Sequence, residues 1–404
     1  MPLKNLSGRK LFEDVVTYAQ MGEHRTATEA DLKTASWIAD RLSAAGFKAG
    51  FLKWRLRQFF IEKCELEVEA KTRECFPLWF PKATGAEPVR APLVLFQEER
   101  ETQAVRDKIV LVKFDQWFVT PESDHARLIK GLAKEGALAV LGYNPSLSGE
   151  VFVSNAFSPF SQESWPIPVV LVGAKERVSL KNAAQRHAMA ALLVTGRDEA
   201  EAEARNVIGK LKRDESWIVV TTPQSGWFRC AGERGPGVAL FLDLARWASE
   251  LSFGPSWLFL SNSGHELGNM GLHQILEKGE LPPPGKVICW LHLGASIATW
   301  NWKHNGIFLE QDGISPRISL ISSPEFIPAL KRAFASMPSL TPKTGAARGE
   351  LMGVLEKGYR SFGFFGGHHF FHTPADGPET TAPKLLEPVA SALTASLESI
   401  IKNH

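Results

Sequence analysis

From Leu258 to Gly271 the chain reads Leu-Phe-Leu-Ser-Asn-Ser-Gly-His-Glu-Leu-Gly-Asn-Met-Gly, an apolar strand entering a glycine-marked turn that carries adjacent His265 and Glu266. In an α/β sheet, ligands sit beyond the carboxyl ends of the strands, so side chains at that exit face the crevice. An imidazole beside a carboxylate there is suited to proton transfer near neutral pH. The same residues also read as a helix start, with Ser263 as cap, a helix over Glu266–Glu277, Glu266 as first-turn negative charge and His265 solvated. On these residues alone both readings stand. A second candidate is Gly366-Gly-His-His-Phe-Phe-His372. Adjacent histidines on an extended segment point to opposite sides, so at most one of His368 and His369 shares a face with His372. His24, His273 and His304 read as core or surface histidines. Ser225 and Ser263 lack the Gly-x-Ser-x-Gly elbow, which counts against a serine hydrolase.

The elements that position these residues follow from pattern. A chain of 404 residues exceeds one ordinary core and implies two domains or one with an insert. Its composition, 44% hydrophobic and 22% charged, is that of a globular protein, and a net charge of +2 makes no electrostatic case for nucleic acid. Residues 1–10 have no apolar core of signal-peptide type, and no apolar run approaches ~20 residues, so the expectation is a soluble, cytoplasmic protein with no membrane partner. The four cysteines, Cys64, Cys75, Cys230 and Cys289, have no metal-knuckle spacing. Only Cys64 and Cys75 could pair locally, and free thiols are expected. The 12 Trp against 3 Tyr point to indole rings lining a pocket.

Helical spacing covers residues 9–22 and 29–46, and strand-like alternation covers 47–71. Prolines 77, 81 and 88 then mark a boundary. Residues 90 to 200 carry strands at 93–96, 108–114, 137–141, 169–172 and 190–194 with a helix at 126–135, a complete small α/β domain. From Arg205, strands at 206–211, 217–221, 257–260 and 286–293 alternate with helices at 237–251 and 266–277, the rhythm of a largely parallel sheet covered on both faces. A helix at 324–336, a strand at 361–365 and a helix at 383–402 complete it. The expected domains are a discontinuous one of residues 1–80 with 203–404, and an insert of 81–202.

Several stretches, in order, resemble the co-catalytic zinc aminopeptidases, a superfamily that includes glutamate carboxypeptidase, the transferrin receptor ectodomain and the glutaminyl cyclases. His24-Arg-Thr-Ala-Thr, Thr34-Ala-Ser-Trp-Ile-Ala-Asp-Arg-Leu and Ala45-Gly-Phe look like the opening helices. Asp107-Lys-Ile-Val-Leu-Val, Ala133-Lys-Glu-Gly-Ala-Leu-Ala-Val-Leu and Ile167-Pro-Val-Val look like the inserted protease-associated domain. Asn206-Val-Ile-Gly, Gly235-Pro-Gly-Val-Ala, Gly264-His-Glu-Leu-Gly and His372-Thr-Pro-Ala-Asp match later landmarks. The resemblance implies a mostly parallel sheet covered by helices on both faces, with that small α/β insert.

It also implies a site that departs from the family's. The usual His-x-Asp ligand stretch falls on Thr222-Pro-Gln224, and the bridging carboxylate on Glu233. Glu266 keeps the Glu ligand, His372 the final His, His292 stands at the second Asp, and His265 takes the general-base position. Glu233, Glu266, His292 and His372 could hold one zinc rather than two, as suits a catalytic site with a position left for water. His265 would accept the water proton. Trp227, Trp290, Trp300 and Trp302 fall in or just after segments that the resemblance places along the substrate cleft, and Glu350 falls where the family often has an acidic residue that binds a free amino group, though Arg348 could equally neutralise it. His369 is expected to flank a pocket wall, and the expected substrate is a small amide or peptide with an apolar or aromatic group. The expected activity is metal-dependent amide hydrolysis. The competing expectation is a non-catalytic binding or scaffold protein without metal, in which Arg234 pairs with Glu233 and stands in for the missing cation. Neither reading gives an oligomeric state.

Overall fold

The computed structural model describes residues 7–96, 105–114, 123–156 and 163–404. In chain order its elements are α1 (Gly8–Gln20), α2 (Glu29–Ala44), β1 (Lys48–Val68), β2 (Lys71–Arg73), β3 (Cys75–Pro77), β4 (Val89–Leu95), β5 (Ile109–Lys113), α3 (Asp124–Lys134), β6 (Ala139–Tyr143), β7 (Val169–Val172), α4 (Arg177–Gln185) and β8 (Met189–Leu211). There follow β9 (Trp217–Pro223), α5 (Gly235–Glu250), β10 (Ser256–Asn262), α6 (Met270–Lys278), β11 (Val287–His292), β12 (Trp300–Asn305), β13 (Phe308–Ile314), β14 (Ile318–Ser322), α7 (Ile327–Ala333), α8 (Glu350–Glu356), β15 (Ser361–Gly366) and α9 (Pro383–Lys402). They form two compact units: Met1–Trp54 with Glu203–Phe371 and Asp376–His404, and Arg55–Ala202 with His372–Ala375.

The first unit carries strands in the order β14-β15-β11-β9-β10-β8. The four inner strands are parallel, β14 and the last residues of β8 run antiparallel to them, and β1 also pairs with β8. Alternation along β9 explains why it is apolar from Trp217 to Val220. Ile218 and Val220 face one side with Cys289 and Leu291 of β11, where α1, α2, α5 and α9 cover them. Val219 faces the other side with Leu258, Leu260 and Trp290, covered by Leu272 and Ile275 of α6 and Val354 of α8. A sheet buried on both faces needs apolar side chains at every strand position.

The second unit is a parallel run β4-β5-β6-β7, with β3 antiparallel on β7 and the first residues of β8 antiparallel on β4. Its own core gathers Leu93, Ile109, Leu111, Leu141, Val170 and Leu180. β1 and β2 form a hairpin whose two turn residues, Glu69 and Ala70, both have positive φ, 53° and 57°. That conformation matches the twist of the flanking strands.

Three expectations change. The strands expected at 190–194 and 206–211 are one 23-residue strand, because the charged residues between them take extended backbone without an apolar signal. The β12–β13 hairpin and α8 were not read from the sequence; most residues of β13 are exposed, so it carries no burial period. The helix expected from Glu266 starts at Met270 instead. Gly264, Gly268 and Asn269 hold φ of 85°, 79° and 60°, which no right-handed helix accommodates. Gly271 is required there: a Cβ would lie 1.8 Å from the Ser263 carbonyl oxygen.

His24 gives the first unit a pH dependence. Its ring stacks on Tyr18 with centroids 3.8 Å apart, and burial pushes its pKa down to about 3. The unfolded chain takes up this proton near pH ~6.5 while the native state refuses it, so the stabilisation present above that pH is lost as pH falls toward 3. Urea unfolding of the wild type against His24→Phe should show a stability difference that shrinks or reverses from about pH 6.5 downward; a difference independent of pH overturns the assignment.

Candidate active site

β9, β10, β11 and β15 run parallel, so Pro223, Asn262, His292 and Gly366 bring their carboxyl ends to one edge. The turn after β10 is tied down from below by Asn206, whose Oδ1 accepts from the Ser263 N–H at 3.1 Å and whose Nδ2 donates to the Gly271 carbonyl at 2.8 Å. Ser225, beyond β9, receives the Gly264 and His265 N–H groups on its Oγ at 2.8 and 3.3 Å. The two strand exits are thereby locked together.

Within this turn Glu266 is 1% exposed. Its Oε1 accepts from the N–H and the hydroxyl of Thr26, both at 2.6 Å, and its Oε2 accepts from Ser225 Oγ at 2.7 Å. His265 points elsewhere. Its Nδ1 lies 2.9 Å from Glu350 Oε1, and Asn262 Nδ2 donates to Glu350 Oε2 at 2.7 Å. Burial works to raise the Glu350 pKa, but the hydrogen bond and charge of His265, with His292 and Asn262, outweigh it and hold the carboxyl below its usual value. Glu350 is therefore a carboxylate at neutral pH and the acceptor, and His265 Nδ1 is the donor of this hydrogen bond. The His265 side chain remains 14% exposed while that of Glu350 is fully buried.

His292 is buried, with Nδ1 3.0 Å from Thr221 Oγ1. Burial lowers its pKa to about 4; Glu350 works against this, and His265 and Arg234 add to it. Glu233 pairs with Arg234 at 2.5 Å, both side chains wholly buried, and Arg234 Nε donates to the Ser225 carbonyl at 3.1 Å. The Glu233 backbone is gripped by Asp376, which accepts from the Gly232 and Glu233 N–H groups at 2.7 and 3.0 Å. His368 bridges Asp376 at 3.1 Å and Ser296 Oγ at 3.0 Å, and the Ser296 N–H donates to the Glu233 carbonyl at 2.8 Å. This buried Ser–His–Asp chain positions Glu233. Gly232 allows its close approach, since a Cβ would meet Thr380 Oγ1 at 2.0 Å.

The first unit thus gathers His265, Glu266, Glu233, His292 and Glu350. His372 belongs to the second, where its ring stacks on Phe152 with centroids 5.6 Å apart. Trp227 and Trp290 are buried, and the Trp290 indole donates to Thr221 Oγ1 at 2.9 Å and tilts onto Tyr359. Trp300 lies under the Lys384 ammonium, 4.7 Å from its ring centroid. His369 sits half-buried among Trp302, His304 and Phe370. Gln224, where the resemblance expects a ligand, bonds Asp31 Oδ1 at 3.0 Å and Ser261 Oγ at 2.9 Å and acts as a connector. Thr26, Asn262 and Asp376 stand in stretches singled out above without being read as site residues, Ser225 was weighed only as a nucleophile, and Ser296 carries no sequence signal.

Solved structures share this architecture. The zinc aminopeptidase of Bacillus subtilis matches with a TM-score of 0.76 at 16% identity, covering 98% of this chain and 95% of its own. The M28 peptidase precursor of Shewanella amazonensis matches with a TM-score of 0.75 at 14% identity, over 99% and 94%. The chain has the zinc-aminopeptidase fold. The glutaminyl cyclase of Porphyromonas gingivalis, with a TM-score of 0.52 at 9% identity over 99% of each chain, is a more distant neighbour of the same fold. No family model matches the sequence, and no curated protein matches it. Among the described residues no helix is long and apolar enough to cross a membrane.

The zinc that this fold implies does not fit the side chains as arranged. Arg234, a fixed cation, is paired with Glu233, and both Glu266 oxygens are taken by Thr26 and Ser225. Among the described residues no three His, Cys, Asp or Glu side chains converge as ligands.

Proposed function

We propose that the chain is an amide or peptide hydrolase of the aminopeptidase type in which His265 is the base. The observation that carries this reading is the 2.9 Å pairing of His265 Nδ1 with buried Glu350. His265 Nε2 takes the proton from the attacking water, Glu350 holds the ring and stabilises the imidazolium as it forms, and Asn262 holds Glu350. The substrate is a small amide or peptide with an apolar or aromatic group, for which half-buried His369 supplies aromatic surface. No step is assigned to zinc.

The test is hydrolysis of a panel of aminoacyl and peptidyl arylamides, with zinc content measured before and after dialysis against zinc. Turnover should survive excess chelator, with zinc well below stoichiometric. One tightly held zinc whose removal abolishes turnover would instead support a resident ion. A second reading, a peptide-binding protein without catalysis, is favoured by the Arg234–Glu233 pair alone. It is selected if no arylamide is cleaved while apolar peptides still bind by calorimetry.

A further inference from the structure

The hairpin of the second unit places two thiols face to face. Leu66 pairs with Arg73, Glu67 with Thr72 and Val68 with Lys71, and the same register carried two residues further sets Cys64 opposite Cys75. Their Sγ atoms lie 3.3 Å apart. Directly opposed residues of an antiparallel pair have Cα atoms about 4.5 to 5.5 Å apart, inside the range that a disulfide spans. Cys75 also opens β3, which pairs with Val172 on β7, so a covalent link here would fasten the hairpin stem to the strand bordering the parallel run. Both thiols are half-buried, whereas Cys230 and Cys289 are buried.

We propose that Cys64 and Cys75 form a reversible cross-strand disulfide, closed by exchange with a small-molecule disulfide such as oxidised glutathione. In the first step one cysteine, having lost its proton, attacks a glutathione sulfur; a protein–glutathione mixed disulfide forms and one glutathione leaves as thiolate. In the second, the other cysteine loses its proton and attacks the protein-side sulfur, and the second glutathione departs. The protein gives up two electrons and two protons, and the oxidant becomes two glutathione thiols. The hydrogen bond shared with Cys64, followed by burial, raises the Cys75 thiol well above its usual pKa. Closure therefore proceeds faster at pH 8 than at pH 7, because the thiolate is the attacking species.

The test uses the full chain incubated with oxidised glutathione. Thiol titration after unfolding in denaturant should fall from four to two, mass should drop by two hydrogens, and peptide mapping should recover residues 64 and 75 cross-linked. Thermal unfolding of the oxidised form should move to higher temperature and return on adding dithiothreitol. In Cys64→Ser the reaction should stop at one glutathione adduct on Cys75. Four thiols remaining in the wild type, or a stable glutathione adduct on Cys64 or Cys75 without closure, overturns the proposal.

Discussion

Replacing His265 by alanine lowers turnover of the hydrolysed arylamide by about two to four orders of magnitude, the range that a positioned base contributes, with little change in KM. The side chain is partly exposed, so its removal leaves the fold intact. Glu350→Gln separates the base from its support. The amide keeps the shape and one acceptor oxygen but gives up the charge that stabilises the imidazolium, and an amide rotated the other way offers an N–H to the Nδ1–H of His265. Turnover should fall nearly as far, and the two changes together should cost little more than either alone, because residues that act as one unit are not additive. A His265→Ala protein with wild-type turnover would falsify the assignment. Additive losses would mean that Glu350 acts independently of the ring.

The second large effect is on stability. Arg234→Ala leaves Glu233 as a buried carboxylate stripped of its cation, and breaking such a pair on one side costs about 3 to 5 kcal/mol. Urea denaturation should show this loss. The double change Glu233→Gln with Arg234→Met should recover most of it, since exchanging a whole buried pair for neutral groups of similar volume is close to neutral. If Arg234→Ala instead unfolds like the wild type and gains one equivalent of zinc, the guanidinium has been occupying a metal position.

How much of this was legible in the sequence depends on distance along the chain. The strand Leu258–Leu260 and the helix 383–402 announce themselves because period and apolar run are local signals, and helix and strand alternate through the first unit as expected. Adjacent His265 and Glu266 were visible as a candidate pair, but their partners were not. Glu350 lies 85 residues from His265, and Thr26 lies 240 from Glu266. Nothing in the composition around Thr26 or Ser225 marks a hydroxyl that will saturate a carboxylate. The position of the helix start was misread because Gly268 and Asn269 look compatible with a first helical turn until their positive φ is known. The abundance of tryptophan suggested a lined pocket; Trp257 and Trp290 instead pack inside the sheet layers.

The bonds that hold the turn after β10 have a kinetic consequence. Its carboxylate is received by Thr26, its two leading N–H groups by Ser225, its histidine by Glu350 and its base by Asn206, so four distant parts of the chain converge on seven residues. Closing loops of this length is entropically costly and is rewarded only once the contacts form together. During refolding the helices can form early, each from its own segment. The competent site appears only when the first unit has closed around it, so recovery of turnover lags recovery of helical signal.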